Sequence, residues 1–118
     1  MEKLNKISWE DFEKLKQLSI FKANVATDSM SPVIKAGDHI VVDVGQMNLK
    51  RFDIIVFYFD ETLICHYLWR LNKIVSPIYL QTKSLVGLID YPIPIENYLG
   101  KVISHDLGFL RKMRLFID

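Results

Sequence analysis

The apolar residues of this chain first follow a helical spacing and then short β-like runs. Trp9, Phe12, Leu15 and Leu18 recur every three residues behind Ser8, with Glu10 and Asp11 close after it. That spacing lays one apolar stripe along a helix, and a serine cap followed by early acids favours its start there. The pattern predicts a short amphipathic helix over 9–19. From residue 21 the period changes. FKANVAT (21–27), HIVVDV (39–44), DIIVFYF (53–59), TLICHYLWRLNKI (62–74), IYLQTKS (78–84) and YLGKVISHDL (98–107) read as strands. Asp60-Glu61, between the third and fourth runs, suits a hairpin turn. The two prolines of YPIPIE (91–96) predict an extended connection. The tail GFLRKMRLFID (108–118) fits a strand or a short amphipathic helix.

Six short strands with turn signals at roughly ten-residue spacing argue for a mostly-β protein with a partly closed sheet and one short N-terminal helix. No repeat, low-complexity tract or linker interrupts the chain. Its organisation is expected to be an N-terminal helical segment, 1–20, and a single β domain, 21–118.

Composition narrows the function classes. At 118 residues, one domain with a modest core is expected. Fifteen Lys and Arg against 14 Asp and Glu give a formal charge of +1, and no basic stripe alternates with the aromatics. Nucleic acid is therefore not an expected partner. The single Cys65 excludes an internal disulfide, and its expected role is a buried thiol. The first residues carry no apolar signal region, and no apolar run approaches the length of a membrane span. A soluble or cytoplasmic protein is expected. His39, His66 and His105 lack metal-ligand spacing, so neither a metal nor a cofactor is expected; His39 and His105 suit strand ends. The cluster RKMR (111–114) suits a solvated face.

Two places carry candidate chemistry. In TDSMSPVIKAGD (27–38), Ser29 lies in a tight segment entering a strand, which can expose a hydroxyl beside free N–H groups. Those are the needs of a serine nucleophile with an oxyanion hole, although Ser and Asp also make ordinary turns. In LICHYLWR, strand alternation puts Cys65 and His66 on opposite faces, so the two cannot pair. His66 is either a core histidine bonded to a backbone carbonyl or a general base.

Ser29, Met30, Pro32, Gly37 and Asp38, leading into Ile40-Val41-Val42, resemble the nucleophile motif of the signal peptidase I superfamily, which includes the self-cleaving SOS repressors. The next block of that superfamily is similar to FDIIVFYF, with Phe52 where glycine is usual. His66 stands where the family places its base, a lysine in most bacterial members and histidine in endoplasmic-reticulum, archaeal and some Gram-positive signal peptidases. Lys73 comes seven residues later. A third block resembles TKSLVGLID (82–90): Thr82 and Lys83 match, Ser84 and Leu85 replace Gly-Asp, and Asp90 takes the second acidic position. LGKVISH (99–105) resembles the closing strand, so the likeness spans about residues 21–105.

The resemblance implies a coiled β-sheet of the signal-peptidase and repressor C-terminal-domain type, and a serine endopeptidase. Ser29 would attack, His66 would act as base and Asp90 would orient it. The Ser29 N–H and the Thr27 hydroxyl would form the oxyanion hole. A polypeptide substrate would add as an extended strand near residues 24–30, flanked by Val25 and Met30, with Met30 also fixing the nucleophile turn. Tyr67 departs from the arginine that usually follows the base, and Leu85 from an acid. These departures leave an alternative, a catalytically inactive peptide-binding or dimerisation module. With 28 residues before Ser29, a self-cleaving repressor is not expected, and a maturation peptidase for a dedicated precursor is the favoured form.

Overall fold

Ile54–Tyr58 and Thr62–Leu68 are buried without interruption, on both faces of the hairpin they form. The computed structural model describes residues 3–24, 37–72, 79–84 and 92–105. In chain order its elements are β1 (Lys3–Lys6), α1 (Trp9–Leu15), β2 (Ile20–Asn24), β3 (His39–Val44), β4 (Ile54–Phe59), β5 (Thr62–Asn72), β6 (Tyr79–Lys83), β7 (Ile93–Pro94), a 3-10 turn (Ile95–Asn97) and β8 (Tyr98–His105). Among the described residues the protein is mostly β, one antiparallel sheet with one short helix. The strand order is β2-β3-β8-β4-β5-β6-β7. β5 is the longest strand and takes β4 on one edge. Its other edge is shared: β1 pairs with its start (Lys6↔Thr62), and β6 with its end (Tyr67↔Lys83 to Asn72↔Tyr79).

Alternation along β4 and β5 feeds two apolar layers. Ile54, Val56, Tyr58, Leu63, Cys65 and Tyr67 face one layer, with Phe12, Ile40, Val42, Leu99 and Val102. Ile55, Phe57, Ile64 and Leu68 face the other, with Leu80, Ile93 and Tyr98. Because both faces are covered, the strands read as continuous apolar runs, without a polar face. Asp60 and Glu61 both adopt positive φ (51° and 59°), the backbone of a two-residue hairpin turn of the type that favours Asn-Gly.

α1 begins where the cap signal places it: the Ser8 hydroxyl accepts from the Asp11 N–H at 3.2 Å. Phe12 is fully buried, stacked between Trp9 (5.3 Å) and Tyr58 (4.9 Å). The helix is shorter than the spacing predicts. It stops at Leu15 because Gln17 and Leu18 bond back to Lys14 and Leu15, tightening the last turn. The Ser19 carbonyl then accepts from Val44, which draws the chain into the sheet. Leu18, expected on the buried stripe, is therefore 46% exposed. β1 was not foreshadowed by the pattern at all. YPIPIE gives the two-residue β7 and part of a 3-10 turn. The tail 108–118 lies outside the described residues.

β8 sets the shape of the sheet's centre. It carries two irregularities, one opposite Val41/Val42 and one opposite Val56/Phe57, where it has an extra residue against each partner. Such bulges bend a strand and increase its twist. At Gly100, between them, the β8 backbone lies against β3. A Cβ there would collide with the Asp43 carbonyl oxygen and come within 2.7 Å of Val42 Cγ1. Gly100→Ala is expected to lower stability by about 2–3 kcal/mol, since backbone must move to admit the methyl; urea unfolding at fixed pH measures it.

Tyr98, at the start of β8, donates its hydroxyl to the Gln46 carbonyl. Burial, and then the neighbouring Asp43 and Asp53 carboxylates, push its phenol well above the ordinary tyrosine range. A group raised on folding stabilises below its unfolded value and loses that contribution as pH climbs through the folded value. The protein should therefore lose stability above about pH 10. Tyr98→Phe should cost about 1 kcal/mol at neutral pH by loss of the hydrogen bond. It should also make the alkaline loss shallower, as read by urea unfolding at a series of pH values.

Candidate active site

Four polar residues are buried among those described: Thr62, His66, Thr82 and Ser84. Thr62 belongs to the hairpin, its hydroxyl donating to the Phe59 carbonyl at 2.7 Å. The other three share one face where β5 meets β6. His66 is 2% exposed, lies opposite Ile55 of β4, and follows Ile64 and precedes Leu68 on the same face. Its ring meets Phe57 edge-on, with centroids 6.2 Å apart. Cys65 points into the opposite layer, fully buried. The alternation had placed the two on different faces, and they are.

β6 brings polar side chains to the third side of His66. Tyr67 pairs with Lys83 and Leu68 with Thr82. One step further along that ladder, Ser84 falls opposite His66. Ser84 is 3% exposed, and its hydroxyl has no hydrogen-bond partner. Cross-strand neighbours stand about 4.5–5.5 Å apart at Cβ, so Ser84 is within a side chain's reach of the imidazole. Ser84 was read from the sequence only as a departure from the family's glycine. Its place beside the histidine depends on the β5–β6 register, which no local pattern reveals.

The entry to β4 has a second unusual feature. Phe52 has φ of 76°, a conformation that glycine adopts freely and a bulky residue rarely does. The turn is held by Phe52 N–H to Leu68 O (2.8 Å), Leu68 N–H to Asp53 O (2.7 Å), and Lys50 N–H to the Asp53 carboxylate (2.7 Å). The Phe52 ring packs on Tyr67 (5.8 Å) and Trp69 (6.2 Å). Tyr67 is thus a core aromatic, 7% exposed.

Lys101 occupies the same row of the sheet as His66, through Ile55. Its ammonium is held by Asp53 at 3.2 Å. His39 is exposed at the start of β3. Among the described residues no group of three His, Cys, Asp or Glu gathers as a metal site. No helix among them is long and apolar enough to cross a membrane.

Ahead of β3, Gly37 adopts φ of 91°, and His39 at its start pairs with Asn24 of β2. Ser29, with Val25, Thr27 and Met30, lies outside the described residues, as do Lys73, Leu85 and Asp90. Of the expected catalytic residues, the structure therefore describes His66 alone. Compared with models of known protein families and with curated proteins, the chain matches none.

An unpartnered buried hydroxyl costs about 1–3 kcal/mol of desolvation. Ser84→Ala removes that cost with little change of volume, and is expected to raise stability by about 1 kcal/mol in urea unfolding. A loss of stability would show that the hydroxyl is satisfied in solution.

Proposed function

We propose that the chain is a serine endopeptidase of the signal peptidase I type, cleaving a peptide bond in a protein or peptide precursor. The observation that carries the reading is His66. It is a buried imidazole interrupting an apolar strand that follows, in order, a Ser-Met-x-Pro segment and a Gly-Asp entry into β3. Phe52 adds support: at the position where the family has glycine, the backbone keeps a glycine-like φ.

In this reading Ser29 Oγ attacks the scissile carbonyl carbon and passes its proton to His66. The Ser29 N–H and the Thr27 hydroxyl donate to the oxyanion. As the C–N bond breaks, His66 returns the proton to the leaving amine. Water then attacks the acyl-enzyme, giving a proton to His66, which passes it back to Ser29 Oγ as the acid leaves. Asp90 orients the imidazole, and Val25 and Met30 flank substrate bound as an added strand.

The reading makes one demand on the fold. Four strand spacings and a four-residue offset put Asn24 about 23 Å from His66 on a flat sheet, at ~4.8 Å per strand and ~3.3 Å per residue. Five extended residues from Asn24 to Ser29 reach only about 17 Å, before side chains are added. A dyad therefore needs a coiled sheet, of the kind that bulges such as those of β8 produce. The packing of Tyr67 as a core aromatic, together with Leu85, favours a second reading: a peptide-binding or dimerisation module without catalysis.

Incubation with a peptide library decides between them. Ser29→Ala and His66→Ala are each expected to lower cleavage by at least about 10³-fold, while leaving peptide binding in place. Cleavage unchanged in both variants would overturn the mechanism, and its absence in the unaltered protein would favour the binding module.

A further inference from the structure

On the opposite face of β5 from His66, two cations converge on one indole. Arg51, in the turn before β4, lays its guanidinium on Trp69, with Cζ 3.6 Å from the ring centre, and lies 5.5 Å from the Phe52 ring. Lys83 of β6 holds its ammonium 4.6 Å from the same indole. Arg70 follows Trp69 and is exposed. Arg51, Trp69, Arg70 and Leu71 line a solvent-open depression of about 570 Å³. The β5–β6 ladder is irregular between Leu68 and Arg70, so that Trp69 is the extra residue of β5.

Gathering like charges is unfavourable unless something compensates. The indole supplies part of that compensation through cation–π attraction. Among the described residues no carboxylate forms an ion pair with Arg51, Arg70 or Lys83, although Lys14, Lys16 and Lys101 each have one. Among the described residues, the patch therefore presents positive charge with no carboxylate paired to it, around an apolar floor.

We propose that this depression is a docking site for an acidic peptide segment, bearing two or more Asp or Glu side chains. A guanidinium flat on an indole keeps its N–H edge free, a fork that fits a carboxylate in two-point geometry. The same stacking occupies the indole face that a nucleobase would need, which disfavours single-stranded nucleic acid. With 14 acidic residues against 15 basic, the chain has no broad field for a long polyanion, so recognition is confined to the patch. The site does not depend on the peptidase reading, since His66 faces the other way. If that reading holds, the patch is a second contact for a precursor, remote from the bond that is cut.

The test is fluorescence anisotropy with a labelled peptide carrying four Glu, its Gln counterpart and an oligothymidylate, on the full chain at low salt. The Glu peptide should bind at least about tenfold more tightly than the Gln peptide, and added salt should weaken it. Arg70→Glu and Lys83→Glu should each weaken Glu-peptide binding about tenfold or more, and Arg70→Glu, whose side chain is exposed, should leave thermal unfolding unchanged. Equal binding of the Glu and Gln peptides would overturn the proposal. So would binding unaffected by either substitution, or tighter binding of the oligothymidylate. None of these outcomes bears on catalysis, which the Ser29→Ala and His66→Ala comparison reads separately.

Discussion

Two-sided burial of the β4–β5 hairpin is the constraint from which the rest of the structure follows. A strand with an apolar layer on each face cannot carry polar side chains except where they are engaged or functional. Ile54–Tyr58 obey this without exception beyond the tyrosine hydroxyl, which donates to the Ile7 carbonyl and so ties the chain before α1 to β4. β5 carries a buried imidazole at His66, which is engaged. It lies where β6 supplies two further buried polar residues, Thr82 and Ser84. A polar pocket at that junction is thus a property of the packing, and not of the histidine alone.

The centre of the sheet depends on an absence of side chain. Gly100 lets β8 approach β3 at the Asp43 carbonyl, and the bulges on either side curve the strand that joins β3 to β4. The apolar layer under α1 draws residues from β3, β4, β5 and β8, so it depends on that curvature for closure. The electrostatic arrangement nearby is consistent: Lys101, partly screened, is clasped by Asp53 Oδ2, the same oxygen that accepts the Lys50 N–H in the turn that begins β4.

Local signals were legible where local forces decide. Ser8 marked the helix start because a cap needs only its own turn, and Asp60-Glu61 marked the hairpin between two apolar runs. The faces of Cys65 and His66 followed from alternation alone. Less was legible where partners distant in sequence decide. Lys3–Lys6 shows no strand pattern and becomes one because β5 leaves an edge for it. The helix ends early because the Ser19 carbonyl finds Val44. The orphan hydroxyl of Ser84 and the cations around Trp69 arise from β5–β6 and turn contacts that no spacing encodes. Of the candidate site, His66 was readable as a histidine within an apolar strand, but its polar surroundings were not.

β1 has a consequence of its own. It covers the exposed edge of Thr62–Ile64, the part of β5 that β6 does not reach. An open edge on a strand buried on both faces would be a template for pairing with another chain. Four residues at the front of the chain thus act as a stopper: displaced by a fusion partner or trimmed away, they would leave a sticky seam, and copies of the protein would join edge to edge.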